Sequence, residues 1–453
     1  MMGAACALFF AFGLKSGAWI SQAIFRAETN ILIAHPSPST NVTPSATLPM
    51  GRWNPVQVAA GGVTPLGRQL EELSLINALG YLDGTQAPHE RSAVVSRFAP
   101  DNEFEARSLV VSGHAPGAQL IDLDGNVIHE WHCNFDDIWP GRDAGGGEPQ
   151  KHFWRRAYLY PDGSILGIFE YLGAVKLDPN SNVIWSKENS FNHDISVTDD
   201  GTIYMLEQKP TDRPAVNPDL KIMDDHVTRL TSDGEIIDSV SLVDCVLNSP
   251  CRSLMDRVLL ETADIFHSNT LKVITEDNAR VWPIAKPGMV LVSFRELHTI
   301  ALIDLAEKKV VWWCSDVARY QHEPIVTPRG TVMMFDNIWC PGRSRVVEIN
   351  PKDNSIVWQY AGTPQKPFYS LTCSMVQYLP NGNLMVTSSD EGRAFSIDAT
   401  GKLIWEYVNP HRAGPNDTFI ATLFQCERLP KGFPTHWAKL PVNPGTAKTA
   451  SLL

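Results

Sequence analysis

KLDPNSNVIW, residues 176–185, reads as the aliphatic end of one strand, an Asp, a polar turn, and the apolar start of a second strand closing on an aromatic. The pattern recurs as LIDLDGNVIH (120–129), RLTSDGEIID (229–238), LIDLAEKKVVW (302–312), EINPKDNSIVW (348–358) and SIDATGKLIW (396–405). Self-similarity of this kind marks a repeat architecture, and six copies predict six units. A second element alternates with the first: LYPDGSIL (159–166), VTDDGTIY (197–204), AKPGMVL (285–291), VTPRGTVM (326–333) and YLPNGNLM (378–385). Each is a glycine turn between β-rich runs, so every unit holds two hairpins, or four strands. The predicted fold is all-β, a six-bladed β-propeller. The first repeat lacks its opening strand and turn, and FIATLFQCERLPKGF (419–433) is that missing piece. The C-terminal strand is therefore expected to complete the first blade, clasping the ring and removing exposed edges.

The propeller is expected over residues 105–433. Ahead of it, residues 2–14 and 17–25 form an apolar run broken by Lys15. Residues 1–26 thus read as a signal peptide or membrane anchor, with the body exported to the periplasmic or extracellular side. Residues 27–104 read as a Pro/Ser-rich stalk followed by a short helix over 68–80, where Leu70, Leu73, Leu75 and Leu79 recur at roughly helical spacing. Residues 434–453 read as a flexible tail. With 38 Lys+Arg against 50 Asp+Glu, the net charge is −12, and no long basic block occurs, which argues against a nucleic-acid partner. Eight cysteines are too few for a disulfide scaffold. The spacing CVLNSPC allows Cys245 and Cys251 to close a small surface loop, or to remain thiols.

The chemistry is carried by histidines. FNHDISV (191–197), IFHSNTL (265–271) and YQHEPIV (320–326) place His193, His267 and His322 at what reads as one repeat position, each with an aliphatic residue four positions on. Equivalent positions in a ring converge on its axis, and Arg155 and Ser374 take that place in two further repeats. A hairpin returns its second strand to the end where the first began, so residues seven after the turn glycines belong beside them. These are Glu170, Gln208, Arg295, Asn337 and Ser389. Asn269 lies two residues after His267, on the same strand face. The long connections 209–225 and 243–264 lie beside the histidine repeats, and loops of that length are usually functional. Three readings suit three imidazoles and an arginine: nucleophilic transfer, a catalytic metal held by His193, His267 and His322, or a non-catalytic propeller that binds an anion or partner. A channel arginine favours transfer of an anionic group.

HSN (267–269), SFR (293–295) and HEPIVTPRGTVMMFDN (322–337) resemble the arylsulfotransferases that work without a nucleotide sulfate donor. The resemblance spans roughly residues 105–433. It implies a six-bladed, usually exported propeller that moves a sulfuryl group from an aryl sulfate to a phenol by ping-pong chemistry, through a sulfohistidine and without a cofactor. Carried over by position, it makes His322 the nucleophile and His267 the general acid and base. His193, Asn269 and Arg295 would bind sulfuryl oxygens, with Asn337 and Arg155 lining the same substrate site. The family's site includes a later lysine, whereas here no Lys lies between Lys366 and Lys402, leaving Arg393 or Lys366. His322 is also followed by Glu323 and Pro324.

Overall fold

A computed structural model describes residues 48–56, 94–97, 107–259, 261–363 and 366–438. Among them, six antiparallel sheets repeat one plan. Sheet 2 shows it plainly: Arg156–Leu159, Ile165–Phe169, Gly173–Leu177 and Val183–Glu188 pair in sequence order. Sheet 3 runs from Phe191–Val197 to Ile236–Ser241, sheet 4 from Ser268–Val273 to Lys309–Ser315, and sheet 5 from His322–Val326 to Ser355–Tyr360. Sheet 6 runs from Met375–Tyr378 to Leu403–Val408. Sheet 1 takes its innermost strand, Leu423–Arg428, from the far end of the chain and pairs it with Ser108–Ser112. The innermost strands pack against one another in the order 1-2-3-4-5-6-1, an all-β, propeller-like arrangement of four-stranded blades.

The two repeated motifs have direct physical roles. The glycine turns join the first and second strands, and Gly163, Gly201, Gly288, Gly330 and Gly382 all have φ near +80°, a conformation glycine adopts without steric cost. The Asp-containing motif joins the third and fourth strands. Asp178 Oδ1 accepts from the backbone N–H of Asn180 at 2.7 Å and of Asn182 at 2.9 Å, closing the turn, and Asp122 and Asp398 do the same. The aromatic that ends the motif reaches the next sheet's turn. Trp185 Nε1 donates to Ser232 O at 3.1 Å, Trp312 to Pro351 O at 2.8 Å, and Trp405 to Leu123 O at 3.0 Å. In sheet 1, His129 Nε2 stands 2.8 Å from Pro179 O at the same place, which gives that histidine a structural task.

Parts of the flanking segments join the body. The stretch expected to be a stalk contributes Val94–Arg97, a fifth strand on sheet 6, and Trp53–Pro55, which pairs with Phe419–Ala421. The expected tail begins packed, with Trp437 Nε1 donating to Pro161 O at 3.0 Å and its ring 5.5 Å from that of Trp131. The segment 1–26 and the helix expected over 68–80 lie outside the described residues, among which no helix is long and apolar enough to cross a membrane.

Of the two states the spacing allowed for Cys245 and Cys251, the structure has them as separate thiols. Cys245 sits within the helix Leu242–Leu247 and Cys251 precedes the 3-10 turn Arg252–Arg257, and both pack into one apolar cluster instead of spanning a surface loop. Burial pushes the thiols up to about 12 and about 11, so neither is an activated nucleophile.

Candidate active site

Strand register sets the geometry at the axis. Counted back from the turns, His193 and His322 hold the same place, as do Arg155, Ser374 and, in sheet 1, Phe424. In sheet 4 that place belongs to Asn269; His267 stands two residues earlier, just before its strand. This corrects the expected equivalence of the three histidines. The cause is the insertion before Gly288, which folds as the capped helix Glu276–Val281 inside the hairpin turn and removes the usual yardstick from glycine to strand.

The ring is nonetheless brought in, because His267 and His193 have centroids 4.8 Å apart. Inner strands of sheets 3, 4 and 5 each carry a register shift at this level. Such bulges re-aim side chains next to sites. His193, His267 and Glu323 have φ of 50°, 47° and 53°, a left-handed conformation that costs a non-glycine residue about 1–3 kcal/mol and clusters at functional sites.

Each imidazole has different company. Asn337 donates through Nδ2 to Ser370 O at 2.9 Å and Cys373 O at 3.1 Å. Its Oδ1 is thereby turned toward His322 Nδ1, 2.8 Å away, while Tyr320 O stands 2.9 Å from the same nitrogen. Two acceptors on Nδ1 hold the proton there, so Nε2 carries the lone pair. Burial, then the charges of Arg155 and Arg295, hold His322 well below the usual histidine range, so it is neutral near pH 7.

His193 has a polar neighbour at each nitrogen. Nδ1 stands 3.0 Å from Glu170 Oε1 and Nε2 is 3.1 Å from the Tyr171 hydroxyl. Burial lowers its pKa to about 4 against the pull of Glu170. Burial pushes Glu170 up, but contact with His193, then Arg155 and Arg52, holds it down to about 2.

His267 is the more open ring, its side chain 26% exposed against 8% for His193. Its Nδ1 lies 2.5 Å from Asp264 Oδ2, which leaves Nε2 to exchange protons. Asp264 ends the long connection 243–264, and Gln208 Nε2 donates to it at 2.9 Å and to Asp225 at 3.2 Å. Burial and the neighbouring Asp264 raise the pKa of Asp225.

The remaining expected site residues fall nearby. Arg155 Nε is 3.2 Å from Glu170, and its guanidinium lies 5.2 Å from the Phe424 centroid. Arg295 pairs with its neighbour Glu296 and lies 4.6 Å over the Tyr320 ring. Asn269 Nδ2 donates to Gln321 O at 2.9 Å, tying sheet 4 to sheet 5. Lys366 and Arg393 both pair with Glu406. Among the described residues, no three His, Cys, Asp or Glu side chains are grouped to hold a metal ion. The sequence reading missed Tyr171, Asp264, Asp225 and Arg52; of these only Asp264, three residues before His267, carried a local signal.

One residue further along each strand lies a second ring: Gln425, Arg156, Asp194, Thr270, Glu323 and Met375. Arg156 pairs with Asp194 at 2.9 Å and, across the axis, with Glu323 at 2.7 Å. Lys272 bridges the same two carboxylates at 3.1 and 2.6 Å. Asp194 also accepts from Leu271 N at 3.0 Å, Thr270 Oγ1 from Glu323 N at 2.9 Å, and Gln425 Oε1 from Ala157 N at 3.0 Å.

Propeller-like blades thus bring imidazoles and guanidinium groups, with their carboxylate partners, into one site. The chain belongs to the arylsulfotransferase (ASST) family, whose sequence profile matches residues 164–410, and membership implies a sulfotransferase. Arg52, Arg155 and Phe424 lie outside the matched range. No curated protein matches the sequence. Solved structures similar to it include a Bacteroides caccae protein of unknown function, at 12% identity and a TM-score of 0.46, covering 70% of this chain and 99% of that one. Another is virginiamycin B lyase from Staphylococcus aureus, at 11% identity and 0.41, covering 73% and 99% respectively.

Proposed function

We propose that this chain is a six-bladed propeller, clasped by Leu423–Arg428, that transfers a sulfuryl group from an aryl sulfate to a phenolic or other hydroxyl acceptor by ping-pong chemistry at His322. The clasp is supported by the pairing of that strand with Ser108–Ser112 and by the Trp405 contact from sheet 6 to sheet 1. The observation that carries the chemistry is the fixed Asn337 amide, which keeps the proton on Nδ1 of His322 and the lone pair on Nε2.

In the first half-reaction, His322 Nε2 attacks sulfur, the N–S bond forms, and the bond from sulfur to the aryl oxygen breaks. His267 gives a proton from Nε2 to the departing phenolate, with Asp264 holding the ring and balancing its charge. The sulfated His322 ring keeps its Nδ1 proton and becomes cationic, which strengthens its hydrogen bond to Asn337. In the second half, the acceptor oxygen attacks sulfur and loses its proton to His267, and the N–S bond breaks to restore neutral His322. Arg155 and Arg295 stabilise the charge on the sulfuryl oxygens. His193, held between Glu170 and Tyr171, orients this wall of the site.

The apolar run at residues 2–25 supports export, with residues 27–104 linking it to the propeller. The chemistry is tested by intact-mass and peptide analysis after rapid quench from 4-nitrophenyl sulfate. A sulfuryl adduct on His322, formed with or without chelator, discharged by added phenol and absent from His322→Asn, is expected. Turnover that persists in His322→Asn, or that requires a metal and leaves no adduct, sinks the reading.

A further inference from the structure

We propose that Arg52, immediately ahead of the short strand Trp53–Pro55, is a substrate-anion-binding residue of the axial site. The inference deepens the sulfotransferase reading and rests on it for the identity of the anion.

The segment is fixed independently of the site. Trp53–Pro55 pairs with Phe419–Ala421, and Asn54 Nδ2 donates to Thr422 Oγ1 at 2.8 Å. Arg52 itself donates from its backbone N–H to Gly113 O at 2.7 Å and accepts from Thr422 N at 2.9 Å. Gly51, at φ +125°, lies so close that an added Cβ would come within 2.3 Å of Gly113 O, so backbone stacks on backbone here. Leu48 and Trp53 are buried against Ala413 and Ala421. A strand anchored this way presents Arg52 with little freedom.

Its side chain leaves that sheet for the axis. Nη2 donates to Thr372 Oγ1 at 2.8 Å, and Nη1 lies 3.6 Å from Cys373 Sγ. Thr372 is itself held by Asp390, to which its hydroxyl donates at 2.9 Å. Cys373 also supplies the carbonyl that fixes Asn337, the partner of His322 Nδ1. The Arg52 guanidinium lies 5.4 Å from the Phe424 centroid, with Arg155 at 5.2 Å from the same ring, and its charge helps hold Glu170 ionised. Phe424 and Ser374, the axial residues of sheets 1 and 6, bring no charge of their own. Arg155 and Arg295 serve the sides of sheets 2 and 4, so Arg52 supplies the cation on the remaining side. A sulfuryl group passing between two oxygens carries three peripheral oxygens, and donors set around it are what stabilise the transfer.

Four proteins separate a binding role from a scaffolding one: the wild type, Arg52→Gln, Arg52→Lys, and Asn54→Ala, which loosens the same strand but keeps the guanidinium. Inorganic sulfate binding is measured by calorimetry, 4-nitrophenyl sulfate turnover is resolved into kcat and KM, and melting is followed in parallel. Arg52→Gln should weaken sulfate binding and raise the donor KM by about tenfold or more, the loss of one charge-assisted contact, with Arg52→Lys recovering part of it. Asn54→Ala should lower the melting temperature and leave sulfate affinity unchanged. Wild-type sulfate affinity in Arg52→Gln overturns the inference, as does an equal loss in Asn54→Ala. If the wild type binds sulfate but neither turns over the donor nor forms an adduct, the sulfotransferase reading fails, while the sulfate comparison still decides Arg52.

Discussion

Residues 155 and 156, 193 and 194, and 322 and 323 are chain neighbours, yet they belong to two rings with opposite habits. In the second ring, Arg156, Asp194 and Glu323 pair with one another, with Lys272 beyond it and with backbone donors, so that opposite charges meet across the axis. In the first ring, Arg155 and Arg295 each have a carboxylate partner, Glu170 and Glu296, yet both still press on His322, whose Nδ1 is held while Nε2 is kept as a lone pair. The polarity of one ring goes into cohesion; that of the other is what the proposed transfer would use. The difference arises from a strand's alternation, which sends successive side chains to opposite sides, sharpened here by bulges in sheets 3, 4 and 5.

The contrast breaks most visibly at Glu323. Its carboxylate serves both Arg156 and Lys272, and Glu323→Gln keeps the shape while leaving the buried Arg156 and the partly buried Lys272 to Asp194. Removing one partner from a buried ion network costs about 3–5 kcal/mol, so denaturant unfolding should show a loss of that order. Turnover per folded molecule should change little, because Glu323 faces the cohesive ring. A large fall in kcat with unchanged stability would mean that the two rings are one functional unit.

Arg155→Gln probes the other ring and should act on chemistry before stability. Arg155 lowers the His322 pKa, second only to burial, and protonated His322 has no lone pair for sulfur. Wild-type kcat/KM for the donor should therefore hold as pH falls through 6.5 and fail only well below it. Removing the cation raises the His322 pKa, so the acid limb should move to higher pH, stopping short of the ordinary value because burial remains. The limb is read from the pH profile of kcat/KM, which reports the free enzyme. A uniform loss at every pH, with no displacement of the limb, would assign Arg155 to sulfuryl binding alone.

Much of the scaffold was legible because its determinants are local. A glycine at positive φ and an Asp closing its own turn leave marks within ten residues, so both hairpins of sheets 2 to 6 could be read locally from the chain. His193 and His322 were placed from their distance to those turns. That yardstick failed for His267, where a helix fills the turn and only the flanking aliphatic residue remained to align on. Bulge length is set by how sheets meet at the axis, which no local pattern records. Arg52 was invisible for a stronger reason: its partners Thr372 and Cys373 lie more than three hundred residues away, and its own surroundings are rich in Pro and Gly. The cohesive ring went unnoticed because Arg156, Asp194 and Lys272 each read as an ordinary charged residue until register sets them together.

The smallest effect is expected at the rim, where Trp185, Trp312 and Trp405 each give one hydrogen bond to the next sheet. Trp185 is the one of the three with its bond on the exposed side, so Trp185→Phe removes the N–H and little packing. A single neutral hydrogen bond contributes about 0.5–1.5 kcal/mol, and a loss of that size, with turnover unchanged, is the expected result in denaturant unfolding. The same bond recurs from sheet to sheet, so losing one should leave the others to hold the rim. A loss matching that of Glu323→Gln would reverse the comparison, placing the cohesion of the blades in their outer turns and leaving the paired charges at the axis to be explained by the reaction.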